Sequence, residues 1–125
     1  MKYVKTDKAP AAIGPYSQAV AANGFVYVSG QIPIVPSTGE LLQGSIEEQT
    51  ERVIENIKAI LEAAGTDIES VVKTTCFLKN MSDFSKFNSV YEKHFVSKPA
   101  RACVSAVLPK DAAVEIEVIA LSQNV

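Results

Sequence analysis

Charge is missing from about a quarter of the chain. From Ala9 to Gly39 there are 31 consecutive residues without an Asp, Glu, Lys or Arg, where an even spread would place about six. A membrane span does not explain the gap: Gly14, Pro15, Ser17, Gln18, Asn23, Gly24, Ser29, Gly30 and Gln31 interrupt it, and a span needs about 20 predominantly apolar residues. Metal-binding and cross-linking side chains are also scarce. Cys76 and Cys103 are too few and too far apart for a disulfide framework or a thiolate cluster. With a single histidine, His94, no all-protein zinc site is expected. Basic runs are absent as well. Lys and Arg number 12 against 14 Asp and Glu, a net charge of -2, which disfavours nucleic acid as a partner because sequence-independent affinity comes from neutralising phosphates. Met1 to Pro10 carries Lys2, Lys5, Asp7 and Lys8 but leads into no apolar signal core, so no membrane is expected and the cytoplasm is the expected compartment.

What is present fits one globular domain over residues 1–125. The chain is 47% hydrophobic and 21% charged, and at this length folding buries roughly two-thirds of the unfolded surface, enough for one core. Ser17–Ala22 and Phe25–Gln31 flank Asn23-Gly24, the dipeptide suited to a tight hairpin turn. Ile32–Gly44, rich in Pro and Gly, reads as a loop. Ser45 followed by Glu48 forms a capping box, and Val53, Ile57, Ile60, Leu61 and Ala64 recur at helical spacing up to Gly65, predicting a helix of roughly 18 residues. Val71–Leu78 reads as a strand. Ser82 or Asp83 is positioned to cap a second helix whose Phe84, Phe87, Tyr91 and Phe95 form an aromatic stripe. Arg101–Val107 and Val114–Leu121 complete the order β-β-α-β-α-β-β, an α+β fold with its helices on one face of a sheet.

The last two strands carry the strongest chemical signal. Alternation places Arg101, Cys103 and Ser105 on one face of their strand and Glu115 and Glu117 on one face of theirs. If the two strands pair with odd residues opposite odd, all five groups line one surface: an arginine fork able to grip a carboxylate, beside a carboxylate able to orient or deprotonate a water. The same pattern also describes a solvated strand face with Arg101 offsetting its acids. Cys103 reads either as a nucleophile or as a small apolar residue. His94 fits surface exposure or a helix C-terminus. Ser29-Gly30-Gln31 reads either as a plain strand end or as one small enough to let backbone N–H groups approach a ligand. Tyr16 offers a phenol or a packing surface.

Gly14-Pro15-Tyr16-Ser17-Gln18-Ala19, Val28-Ser29-Gly30-Gln31, Pro99-Ala100-Arg101-Ala102-Cys103-Val104, Leu108-Pro109-Lys110-Asp111 and Val114-Glu115-Ile116-Glu117, in this order, resemble the Rid family and its RidA subgroup. These are the reactive intermediate deaminases, also called YjgF-like or, in an older label, translation initiation inhibitors. The resemblance implies a chorismate-mutase-like fold, one mixed sheet with two helices on one face, assembled as a homotrimer with clefts between subunits. It implies hydrolysis of 2-enamine and 2-imine acids, such as 2-aminoacrylate, 2-iminopropanoate and 2-iminobutanoate, to 2-keto acids and ammonia, without metal or organic cofactor. By this likeness Arg101 grips the substrate carboxylate and Glu115 positions the attacking water. Tyr16, Ser29, Gly30, Phe84, Asn88 and Cys103 line the cleft. Val104–Val107 has one residue fewer than the family pattern between the cysteine and Leu-Pro, so Glu117 stands as the alternative to Glu115. A non-catalytic trimeric module binding small metabolites, and an endoribonuclease or translation inhibitor, are the competing functions.

Overall fold

Asn23 and Gly24 both adopt positive φ, 51° and 84°, as a two-residue hairpin turn requires. They join β2 (Ala19–Ala22) to β3 (Phe25–Gln31), which pair antiparallel. The computed structural model describes residues 1–123. Before this hairpin a short strand absent from the expectations, β1 (Lys2–Val4), adds to β2. Its three residues were too few for an alternation pattern to be read. The segment expected to be a loop carries a small ribbon of β4 (Ile34–Val35) and β5 (Glu40–Leu41), turned at Gly39. The buried Asn56 amide donates to the Ile34 carbonyl at 2.9 Å and fastens this ribbon to the first helix.

That helix, α1, runs Ile46–Ala63. Its N-terminus is the predicted capping box: Ser45 accepts from the Glu48 N–H and the Glu48 side chain from the Ser45 N–H. Its C-terminus closes with Gly65 at φ 81°, the Gly65 N–H donating to Glu62 and the Thr66 N–H to Leu61, the glycine-dependent arrangement that satisfies the last carbonyls. Val53, Ile54, Ile57, Ile60 and Leu61 are all fully buried. β6 spans Val71–Leu78 as read from sequence. The second helix, α2 (Phe84–His94), departs from the expectation at its start. Neither Ser82 nor Asp83 caps it with a side chain, because a 3-10 turn at Met81–Asp83 feeds the helix directly and Asp83 itself has helical φ and ψ. The aromatic stripe does pack inward, with Phe87, Tyr91 and Phe95 buried.

β7 (Ala100–Ser105) stops short of the predicted Val107, which is fully exposed, and β8 is Val114–Leu121. The six-stranded sheet runs β1-β2-β3-β8-β6-β7. β7 lies parallel to β6, and β6 antiparallel to β8. This is the expected α+β architecture: a mixed sheet with one face under both helices. The pairing of the last two strands is different. β7 and β8 are not neighbours, because α2 carries the chain back so that β7 enters parallel on the far side of β6. Among the described residues no helix covers the opposite face, where Tyr27, Val104 and Leu121 are each close to half exposed.

Candidate active site

Because β6 separates β7 from β8, the register decides which side chains can meet. Arg101 is level with Thr74 and Cys103 with Cys76, on the face that carries the buried Val118 and Ile116. Glu115 is level with Phe77 and Glu117 with Thr75, on the open face. The expected convergence of Arg101, Cys103 and Ser105 with Glu115 and Glu117 on one surface is therefore corrected. The arginine and thiol lie on the helix side and the two glutamates on the other, with the sheet between them. The sequence pattern established alternation within each strand but not the intervening third strand.

On the helix side, Arg101 sits at the open end of the sheet among residues of α2. Its Nη1 donates to the Asn88 Oδ1 at 2.6 Å, and its guanidinium carbon lies 4.7 Å from the Tyr91 ring centre and 5.4 Å from that of Phe84. Phe84, Asn88 and Tyr91 fall at i, i+4 and i+7, one side of a helix. Among the described residues no carboxylate forms an ion pair with Arg101. An exposed guanidinium with one edge fixed and no counter-ion is suited to taking a carboxylate on its remaining N–H groups. Cys103 is half-buried beside it; burial pushes its thiol up, with Arg101 pulling the other way. Burial pushes Cys76 up to about 12. Both sulfurs are thus thiols rather than thiolates at neutral pH, which favours the apolar reading of Cys103 over the nucleophilic one.

On the open face, Glu115 borders a cleft of about 190 Å³ whose wall includes Tyr16, Gly30, Gln31, Pro109 and Lys110. Burial first, and the neighbouring Glu117 second, raise its carboxyl above the usual carboxylate range. Gly30 is required here by space, since a Cβ at that position would overlap the Glu115 carboxylate. Ser29 and Gly30 occupy a bulge in the β3–β8 ladder, between the Val28–Val118 and Gln31–Ile116 pairs, a device that commonly re-aims chain beside active sites. The Ser29 hydroxyl is engaged within the fold, donating to the Ser17 carbonyl at 2.6 Å. Tyr16 is 55% exposed and so offers its ring to the cleft rather than to the core. Glu117 lies farther along the strand, in a recess shared with Tyr27, Lys73 and Thr75. Of the two glutamates left open by the sequence, Glu115 is the one at the glycine-lined cleft.

Several organising residues escaped the sequence reading. Buried Gln18 donates to the carbonyls of Thr6 and Pro10 and accepts from the Thr6 N–H, tying the segment before Tyr16 to the sheet. Lys110, at φ 56°, adds a cation to the Glu115 cleft. Both residues lie in the blocks that carry the family resemblance, Gln18 in Gly14–Ala19 and Lys110 in Leu108–Asp111, but neither was assigned a role there. A larger recess, about 430 Å³, lies between β1 and residues 5–18, but neither Arg101 nor Glu115 borders it. His94 is neither exposed nor free at the end of α2. It pairs with Glu51 across the two helices at 2.8 Å. With Glu55 these form the one set of possible cation ligands within 4.8 Å among the described residues, and two of the three are exposed.

Residues 6–122 match the family model described as Endoribonuclease L-PSP. A RutC family protein of Pyrococcus abyssi is 56% identical over 120 residues, 94% of each chain. The chain belongs to the Rid/YjgF family. Within the Rid family, the Reactive Intermediate Deaminase A of the Arabidopsis thaliana chloroplast is 49% identical over 119 residues, 94% of this chain and 64% of that one. The crystal structure of a putative endoribonuclease from Thermotoga maritima superposes with a TM-score of 0.96 at 53% identity, covering 99% of both chains. The Rid fold, with its chorismate-mutase-like sheet and paired helices, is therefore the fold of this chain. No helix among the described residues is long and apolar enough to cross a membrane.

Proposed function

We propose that this Rid chain is a deaminase hydrolysing small 2-imino and 2-enamine acids, 2-iminopropanoate and 2-iminobutanoate among them, to 2-keto acids and ammonia. Its site is assembled between neighbouring copies of a homotrimer, where Arg101 of one chain faces Glu115 of the next. The likeness to the Arabidopsis protein supports the reaction class. The observation that carries the reading is the partition of the site. Among its described residues a single chain holds an arginine without a counter-ion on one face of its sheet and a carboxylate in a small cleft on the other, and the outer face exposes Tyr27, Val104 and Leu121. Two half-sites that cannot meet in one chain meet when the edge of one sheet abuts the open face of another.

The chemistry needs little more. Arg101, with Phe84 and Asn88 beside it, fixes the carboxylate, so the adjacent iminium carbon is held in one place. Glu115 orients a water and accepts its proton as the oxygen attacks that carbon. The resulting carbinolamine expels ammonia after proton transfer to nitrogen, and the C–O bond becomes the keto group. Tyr16, Ser29, Gly30 and Cys103 shape the walls. No metal or organic cofactor enters this scheme.

The test is complementation between inactive chains. Arg101→Ala and Glu115→Ala are each unfolded and refolded with the other in equal amounts, and release of pyruvate from serine is followed with a pyridoxal-phosphate dehydratase supplying the imine. A site built across a boundary regains about a quarter of wild-type acceleration, since each boundary draws both intact residues with probability one half apiece. A mixture as inactive as its components overturns the shared site. Wild-type protein that binds a keto acid but does not speed imine hydrolysis overturns the deaminase in favour of a binding module.

A further inference from the structure

Tyr91 has a polar end and a flat face, and both are engaged. Its hydroxyl lies 2.7 Å from the Thr74 Oγ1, inside the core where Thr74 is fully buried. Its ring lies under the Arg101 guanidinium at 4.7 Å. Thr74 in turn is the residue directly beside Arg101 in the β6–β7 ladder. The three residues form a closed circuit: backbone pairing from Arg101 to Thr74, a hydrogen bond from Thr74 to Tyr91, and a ring face from Tyr91 back to Arg101. Asn88 then holds one guanidinium nitrogen by its side-chain oxygen. A flexible cation is thereby held at one nitrogen and set over one ring face.

We infer that Tyr91 is a positioning residue for Arg101, holding the guanidinium plane so that the edge away from Asn88 is presented to a substrate carboxylate. The kinetic part of this inference rests on the deaminase reading; the geometric part does not. A guanidinium stacks on an aromatic face, where an ammonium has no plane to align. Bidentate recognition of a carboxylate depends on that plane, because two parallel N–H groups must point at two oxygens together. The Tyr91 hydroxyl serves the ring by anchoring it to Thr74 and does not touch the substrate. The Phe84 ring lies farther from the guanidinium, at 5.4 Å.

The experiment reads Arg101 directly. In uniformly nitrogen-15-labelled protein, the Arg101 Nε–Hε resonance is identified by its absence in Arg101→Lys. It is then followed in Tyr91→Phe, Tyr91→Leu and Phe87→Leu, beside KM and kcat for the imino acid. Phe87→Leu removes a ring from the same helix that does not touch the guanidinium, so it reports on general loosening. Tyr91→Phe keeps the ring-shifted resonance and a KM within about threefold. Tyr91→Leu moves the resonance to the solvent-averaged position and raises KM by about tenfold or more with kcat little changed, as loss of uniform carboxylate binding requires. An unmoved resonance in Tyr91→Leu, or an equal KM rise in Phe87→Leu, overturns the assignment. A wild-type protein without deaminase activity whose resonance still moves only in Tyr91→Leu overturns the deaminase reading and leaves the positioning role standing. Active protein with an unmoved resonance does the reverse.

Discussion

Gly30 and Glu115 share a space too small for another carbon. Gly30→Ala therefore displaces the carboxylate and lowers deaminase activity by about a hundredfold, on the order of what a misplacement of about 1 Å costs. The melting temperature moves little, because Gly30 has no positive φ to strain. Steady-state kinetics beside a thermal melt checks both halves. The Glu115 carboxyl is raised by burial and then by Glu117, so its protonated form is favoured by the fold. It contributes stability at acid pH, and that contribution fades as pH climbs through the raised value. The acid limb of the pH profile of kcat/KM accordingly lies above the ordinary carboxylate range, and Glu117→Gln moves that limb to lower pH by removing the like charge. A limb that stays in place separates Glu115 from the proton transfer. At this scale the sequence was informative about residue type and poor about company. Arg101 and Glu115 stood out as chemically capable, and Asn88 and Phe84 came through family likeness. The Tyr91–Thr74 contact, formed between a helix stripe and a strand interior, had no local signature.

Elements whose ends depend on neighbouring residues were the most legible. The Asn23-Gly24 turn, the Ser45–Glu48 box and the Gly65 stop each set a boundary by local hydrogen bonding or by a φ that few residues adopt. Ser45→Ala should lower unfolding stability by about 1 kcal/mol, read by urea denaturation, through loss of the acceptor for the Glu48 N–H. The start of α2 was not legible, because a 3-10 turn and a helix draw on the same polar residues and only tertiary packing chooses between a side-chain cap and a continuous backbone spiral. Short strands such as β1, β4 and β5 exist by virtue of what they pair with, and a pattern read along the chain contains no partner.

For the whole molecule, the uncharged segment from Ala9 to Gly39 has two explanations side by side. Part of it is core of this chain: Ala19, Val26 and Val28 are buried. Part of it is apolar and outward-facing, with Ile13 83% and Tyr27 46% exposed. The proposed homotrimer would account for the second part, since interface cores are depleted of charge. Tyr27→Glu, on the open sheet face, is expected to reduce the light-scattering mass from three times 13.4 kDa toward the single-chain value and to abolish activity while leaving far-ultraviolet circular dichroism unchanged. A trimer that persists and remains active would remove Tyr27 from the interface.

The position of β6 between β7 and β8 has a consequence for which changes of chain length the fold tolerates. In a hairpin, one residue more or fewer in the connection turns a whole strand over, exchanging inside for outside. Here residues 106–113 connect strands that do not pair with each other: β7 takes its register from β6, and β8 takes its own from β6 and β3. Their left-handed turn at Lys110 and Asp111 is a spacer rather than a ruler. A connection shorter by one residue after Cys103 is therefore compatible with Glu115 at its cleft. One glycine inserted after Val107 should leave the melting temperature within about 2 °C, since a slightly longer loop adds only a small closure entropy.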